Sequence, residues 1–325
     1  MSEKTIIVTG AAGFIGRNVV KELNRRGHSR LLLVDLLGTD DKWSNLVGLR
    51  FDDLVSPDQF LQAVQNGSAP KANACIHLGA CSATTEKNAD YLLENNYRYT
   101  RTLCEWSLKN DVRFVYASSA ATYGDGSRGY CDEDDATPTL HPLNMYGYSK
   151  HMFDLWALET GLLNKITGLK YFNVYGPFED HKGSMRSLVQ KAYHQILEHG
   201  YIELFKSYHP DYRDGEQKRD FIYVRDAVDV TLHFALDSKE SGLFNCGTGQ
   251  ACTWIDLANA LFKAMRKTPD IRFIEMPEIL RGKYQYFTQA DDAKLRRAGY
   301  KKPFQSLENG VADYVKTHLA AERIA

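Results

Sequence analysis

Through the first half of the chain, short and almost wholly apolar runs alternate with longer segments in which apolar residues recur three and four apart. The runs fit strands buried on both faces, and the segments fit helices that lay one apolar stripe over them. Together they predict an α/β fold, a doubly wound parallel sheet with helices on both sides. Lys4 to Gly16 (KTIIVTGAAGFIG) reads as strand, tight turn and helix, and Arg30 to Asp35 (RLLLVD) as a second buried strand ending in an acid. Leu37 to Asn45 reads as a polar loop. Asn73 to Leu78 (NACIHL) is another strand, with His77 as a packed side chain, followed by the small residues Gly79, Ala80, Cys81 and Ser82. Asp90 to Asn110 has helical spacing, and Asn95 and Asn96 interrupt its apolar face, either to fix a neighbouring loop or to shape a ligand pocket. Val112 to Ala117 forms the next strand and runs into Ser118 and Ser119. A loop rich in Gly, Pro and Asp (Gly126 to Leu143) precedes a helix that opens with NMYGYSK, Asn144 to Lys150.

The first turn carries the clearest chemistry. Gly10, Gly13 and Gly16 stand three apart, which suits a positive φ in the turn, backbone contact with a ligand, and close packing of helix on strand. A helix N-terminus so placed favours a pyrophosphate, and Asp35 at the end of the second strand lies where an adenosine ribose would. A dinucleotide on a Rossmann-type sheet is the expected reading, against a glycine-rich turn that holds no ligand. Gly10, Ala11, Gly13, Phe14, Ile15 and Gly16 are the expected turn contacts, with Asp35, Leu36 and Lys42 at the adenosine end. Leu78 to Ser82 and Asn95 complete the first part of the cofactor set.

Composition narrows the partner. The chain has 325 residues, enough for a cleft between two domains, and its 40 basic and 41 acidic residues leave a net charge of −1. Nothing in that balance favours nucleic acid or an anionic membrane, so a small molecule is expected. The six cysteines have no CxxC spacing, which predicts reduced thiols and no metal. The first strand begins within a few residues of Met1 and no apolar run nears twenty residues, so a soluble, cytoplasmic protein is expected.

Tyr146 and Lys150 are four apart and share a helix face. A free tyrosine has a pKa of about 10, and lowering it to about 7 takes roughly 4 kcal/mol of differential stabilisation. The Lys150 ammonium and an oxidised nicotinamide are the expected sources. TGAAGFIG, the SSAATYG strand end and YGYSK, in that order, resemble the extended short-chain dehydrogenase/reductase family, whose members make and interconvert nucleotide-sugars. The resemblance covers essentially the whole chain and implies that Ser119, Tyr146 and Lys150 form a proton-transfer group.

Three further stretches, GACSATTE from Gly79, YFNVYGPFEDHKGSM from Tyr171 and RGKYQYFTQAD from Arg281, are similar to the branch of that family that inverts C6 of an ADP-activated heptose for the lipopolysaccharide core. That similarity implies Lys182 as a second acid/base group, Val174 against the nicotinamide, and Asn173, Ser184, Lys191, Phe205, Arg219 and Tyr284 as substrate contacts. It also implies NADP, with NAD as the alternative. Leu36 and Pro57 depart from the polar residues expected near a 2′-phosphate, and Lys191 stands where a histidine is expected. His209 to Glu216 looks like an added loop.

Inversion at an unactivated alcohol carbon requires transient oxidation, because that C–H is not acidic. A 6-keto sugar would be formed and then reduced on its other face, with Tyr146 and Lys182 serving opposite sides. The rivals are a UDP-sugar 4-epimerase and a non-catalytic NADP-binding regulator. A 4,6-dehydratase is disfavoured, because Ser119 is followed by Ala120 and Ala121 and no acid. The expected boundaries are 1–172 for the NADP-binding domain, with 219–240 returning to it, and 173–218 with 241–325 mainly for a smaller substrate domain. Asp220 to Val224 would be a strand of the first domain. Gly242 to Gly249, Trp254 to Met265 and Ile271 to Met276 would form a strand-helix-strand cap. A homo-oligomer is expected.

Overall fold

A computed structural model of the protein describes residues 5–281 and 284–321. Lys4 of the first motif and Gly282 and Lys283 of the RGKYQ run lie outside the described residues. In chain order the elements are β1 (Thr5–Thr9), α1 (Phe14–Arg25), β2 (Leu31–Val34), β3 (Asp53–Val55), α2 (Pro57–Gln65) and β4 (Ala72–His77). Next come α3 (Ala89–Leu92), α4 (Tyr99–Lys109), β5 (Arg113–Ser119), α5 (Met145–Glu159), β6 (Thr167–Tyr171), β7 (Asn173–Tyr175), α6 (Leu188–His199) and β8 (Ile202–Phe205). The remainder are β9 (Lys218–Tyr223), α7 (Val224–Leu232), β10 (Gly242–Cys246), β11 (Ala251–Thr253), α8 (Trp254–Ala264), β12 (Ile271–Ile274), α9 (Glu278–Arg281), α10 (Ala293–Arg297) and α11 (Leu307–Tyr314).

Among the described residues, seven parallel strands form one sheet in the order β10-β6-β5-β4-β1-β2-β3. The order reverses at β1, between β2 and β4, and the crevice at the carboxyl ends of β1 and β4 is where ligands of such sheets bind. Two glycines make that crevice. Gly10 has φ +67°, and a Cβ there would sit 2.7 Å from the Gly79 nitrogen; a Cβ on Gly16 would sit 2.0 Å from the Gly10 oxygen. Gly16→Ala is therefore expected to push α1 off β1, and released cofactor should fall to a small fraction of wild type in the purified protein. Wild-type cofactor content in that variant would refute the packing role.

The sheet holds one strand the sequence reading placed elsewhere. Gly242–Cys246, expected in the cap, pairs with β6 in the main sheet. Leu243 and Phe244 point to opposite faces and both are buried, which requires a layer on each side. β9, expected in the first domain, instead lies between β7 and β11 in a three-stranded sheet. Only the helix after it, α7, returns, packing on α1. β8 and β12 make a small parallel pair, with α6 and α8 packed together beside them.

Two local readings also change. Part of the expected loop from Leu37 to Asn45 is a 3-10 helix, Asp41–Leu46, because the Asp40 side chain caps it by accepting from the Lys42 N–H. The long helix from Asp90 is interrupted by a π-turn at Leu93–Arg98. Apolar spacing does not reveal an extra residue in one turn, and such turns gather at functional sites. Here it buries Asn96, whose side chain accepts from the Cys81 N–H (2.9 Å) and donates to the Cys81 carbonyl (2.9 Å) and Ser149 Oγ (3.0 Å). The loop-fixing role thus belongs to Asn96, and the Asn95 amide only donates to it (3.0 Å).

His77 is packed, as read from the sequence. Its ring nitrogens meet Thr9 Oγ1 at 2.7 Å and Thr100 Oγ1 at 2.9 Å, and burial together with the Lys150 charge pushes its pKa down to about 3. It stays neutral and ties β1, β4 and α4 together. All six cysteines are free. Among the described residues no helix is long and apolar enough to cross a membrane.

Candidate active site

A cavity of about 500 Å³ runs along the carboxyl ends of β1, β4 and β5. Gly10, Gly13, Phe14, Ile15 and Gly16 line one end of it. The α1 N-terminus there has no side-chain cap and no acid in its first turn, so its N–H groups and dipole face the cavity uncompensated. That donor set fits a pyrophosphate. At the adenosine end, Asp35 Oδ2 accepts from the Ala12 N–H (2.8 Å), while Oδ1 accepts from the Leu36 N–H (2.7 Å) and Lys42 Nζ (2.6 Å). Lys42 thus pairs with Asp35 and places an ammonium at this end of the cavity.

At the other end, Asn144 caps α5 by accepting from the Gly147 N–H (2.8 Å). A Cβ on Gly147 would lie 2.7 Å from the Ala121 oxygen, so glycine lets the start of α5 rest on the turn after β5. This brings Tyr146 to Ser119, whose hydroxyl hydrogen-bonds it and opposes the upward shift that burial imposes on the phenol. The expected lowering of Tyr146 by Lys150 is not what the protein alone achieves, because desolvation outweighs the hydrogen bond. The Lys150 ammonium is itself pushed down to about 8 by burial, against the Asp154 charge.

A second cavity of about 470 Å³ adjoins the first, and the two share Phe172, Val174, Lys182 and Met185. Lys182 therefore stands in the common wall. Its ammonium lies 5.1 Å over the Phe14 ring. Burial pushes its pKa down, Glu179 resists and the nearby Lys191 adds to the fall. The loop that carries it is clasped at its base: the buried Glu179 carboxylate accepts from the Ser187 N–H (2.6 Å), Ser187 Oγ (2.5 Å) and Tyr314 OH (3.3 Å). Asp180 meets His318 Nε2 at 3.2 Å, so the C-terminal helix pins the loop.

Most candidates converge. Asp35, Lys42, Leu78, Gly79, Ala80, Cys81, Ser82, Ser119, Tyr146, Lys150, Val174 and Lys182 line the first cavity; Asn173, Lys191, Phe205 and Tyr284 line the second. Ala11 is buried under the turn, Leu36 is exposed, and neither these nor Asn95 line the first cavity. Ser184 lines neither, and its carbonyl accepts from Lys191 Nζ (3.4 Å). Arg219 stacks over Tyr284 (5.0 Å) and Trp254 (5.6 Å), both in the second wall.

His181 and Trp254 are among the lining residues that the sequence did not single out, as are Phe172, Met185 and Arg186. His181, next to Lys182 in the same run, receives the Asn45 side chain at 3.1 Å. Trp254, whose indole donates to Tyr284 OH (2.8 Å), showed only as the first residue of a helix.

Comparison with known proteins agrees with this geometry. Residues 6–247 match the model of the NAD dependent epimerase/dehydratase family. The chain is 54% identical over 316 residues to the ADP-L-glycero-D-manno-heptose-6-epimerase of Nitratidesulfovibrio vulgaris strain Hildenborough, covering 97% of this chain and 98% of that one. It is 46% identical to the enzyme of that name from Fusobacterium nucleatum, covering 98% of each. The crystal structure of the Helicobacter pylori ADP-L-glycero-D-manno-heptose-6-epimerase superposes with a TM-score of 0.82 at 25% identity, covering 97% of this chain and 96% of that one. The chain belongs to the NAD dependent epimerase/dehydratase family, in the branch of the ADP-L-glycero-D-manno-heptose-6-epimerases.

Proposed function

We propose that the protein inverts C6 of the heptose in ADP-D-glycero-D-manno-heptose, giving the L-glycero epimer for lipopolysaccharide core assembly, with NADP as its bound cofactor. One observation carries the reading: a dinucleotide cavity holding Ser119, Tyr146 and Lys150 shares a wall, at Lys182, with a second cavity lined by Arg186, Lys191, Trp254 and Tyr284, the two aromatic rings carrying Arg219 stacked on them. The second cavity offers an aromatic and cationic surface suited to a nucleotide diphosphate.

The cofactor, when bound, supplies hydride acceptance and return at one sugar carbon. The protein handles the proton on the oxygen of that carbon. Tyr146, hydrogen-bonded by Ser119, takes or gives it on one side, and Lys182 does so from the shared wall. Lys150, kept charged, favours the ionised phenol. A cytoplasmic setting agrees with the six unpaired thiols.

NADP is favoured by Lys42, because Asp35 alone would repel a 2′-phosphate. Nucleotide released from denatured protein is expected to be NADP by mass spectrometry. Lys42→Ala should weaken NADP about tenfold or more, the loss of one charged contact, and leave NAD nearly unaffected. Release of NAD alone from wild type would overturn the NADP assignment. Failure of the purified protein to interconvert the two ADP-heptose epimers would overturn the function.

A further inference from the structure

Asp154 lies one helical turn past Lys150 on α5, and its side chain and that of its partner, Lys170 on β6, are both fully buried. Lys170 Nζ donates to Asp154 Oδ2 (2.9 Å) and to Thr122 Oγ1 (2.8 Å). Asp154 also accepts from Ser118 Oγ (2.7 Å) and from Tyr116 OH (2.8 Å). The ammonium lies 5.1 Å from the Tyr123 ring. This is a well-satisfied pair, yet desolvating two ions costs several kcal/mol each, and a hydrophobic pair of similar volume is often as stable or more so. Stability alone gives weak reason for charges here.

The groups the pair touches give a better one. Ser118 precedes Ser119 on β5, Thr122 sits in the turn against which Gly147 packs, and Asp154 is two turns from Tyr146 on the same helix. We propose that Asp154 and Lys170 are positioning residues for the epimerisation: their ion pair fixes the register of α5 on the ends of β5 and β6, so that Tyr146 and Lys150 meet Ser119. A greasy contact can slide by a fraction of an ångström, whereas three directional bonds at one carboxylate, with a fourth from Lys170 to Thr122, cannot.

The Asp154 charge acts on Lys150 as well. The charged or titratable groups around Lys150 are Tyr146 and Asp154 on its own helix, Cys81 from the loop after β4, and neutral His77 on β4. Of these Asp154 is the strongest support for the ammonium. Removing it moves the alkaline limb of the kcat profile to lower pH, since Lys150 then loses its proton sooner.

The test compares D154L/K170M, in which the pair is replaced by apolar side chains, with Asp154→Asn, Lys170→Arg and Tyr146→Phe. The double variant is expected to fold and retain cofactor, to hold substrate KM, and to lose kcat by on the order of 10- to 100-fold, as small misplacements of reacting groups do. Asp154→Asn should shift the alkaline limb downward, and Lys170→Arg should restore most of kcat. A folded double variant with wild-type kcat and pH profile overturns the proposal. If it does not fold, Asp154→Asn decides alone: an unshifted profile, or failure of this variant also to fold, assigns the pair to stability and overturns the proposal. The proposal rests on Tyr146 and Lys150 carrying the chemistry. An active Tyr146→Phe refutes that reading, whereas an inactive Tyr146→Phe beside a fully active double variant refutes only the positioning role.

Discussion

Tyr146→Phe is expected to lower kcat by on the order of 10²-fold or more while leaving the cofactor bound, since a positioned acid/base group contributes about 10²–10⁴. The substitution removes one oxygen and keeps the ring, so the wall between Ser119 and the α5 N-terminus keeps its shape. Burial raises the Tyr146 pKa in the protein alone and the Ser119 bond only partly offsets it. Ser119→Ala should therefore act in the same direction by a smaller factor. Turnover of ADP-heptose by the Phe variant at near wild-type rate would remove Tyr146 from the mechanism.

Lys182→Met is expected to have a comparable effect for a different reason. One phenol fixed on one side of the cofactor cavity cannot easily serve both orientations of a ketone that turns over between hydride transfers. Lys182 stands in the wall common to both cavities, and burial brings its amine closer to neutral pH, as a base requires. The variant should bind ADP-heptose and epimerise it about 10²-fold more slowly in both directions, and Y146F/K182M should be inactive. A raised KM with unchanged kcat would show uniform binding and return both proton transfers to Tyr146.

The parts legible in the sequence were those set by short-range rules. Three glycines at fixed spacing, an acid at a strand end and a Tyr-Lys pair one helical turn apart each fix a local geometry, and each geometry is present. What escaped was set at long range. Nothing in GLFNC says that it pairs with β6 and not with a cap strand; the choice rests on which layers cover its two faces. The π-turn that buries Asn96 adds a residue without disturbing apolar spacing, so the sequence names both asparagines and cannot say that Asn96 is the one that fixes the loop. Arg219 meets Trp254 because β11, which leads into α8, pairs with β9 some thirty residues earlier, and the Asp154–Lys170 pair joins a helix to a strand whose register no local pattern specifies.

The placement of β10 constrains how the chain is made. β6 is bonded on one side by β5 and on the other by Gly242–Cys246, and between them the chain leaves to build β7, β8 and β9. While the chain emerges from the ribosome, β6 therefore presents an open apolar edge until Cys246 is out, although domains commonly fold as units from the N-terminal end. The cofactor half cannot be completed first and the remainder appended. A fragment ending near residue 172 should aggregate or engage chaperones, and synthesis that pauses between β6 and β10 should lower the yield of native protein more than a pause after β10.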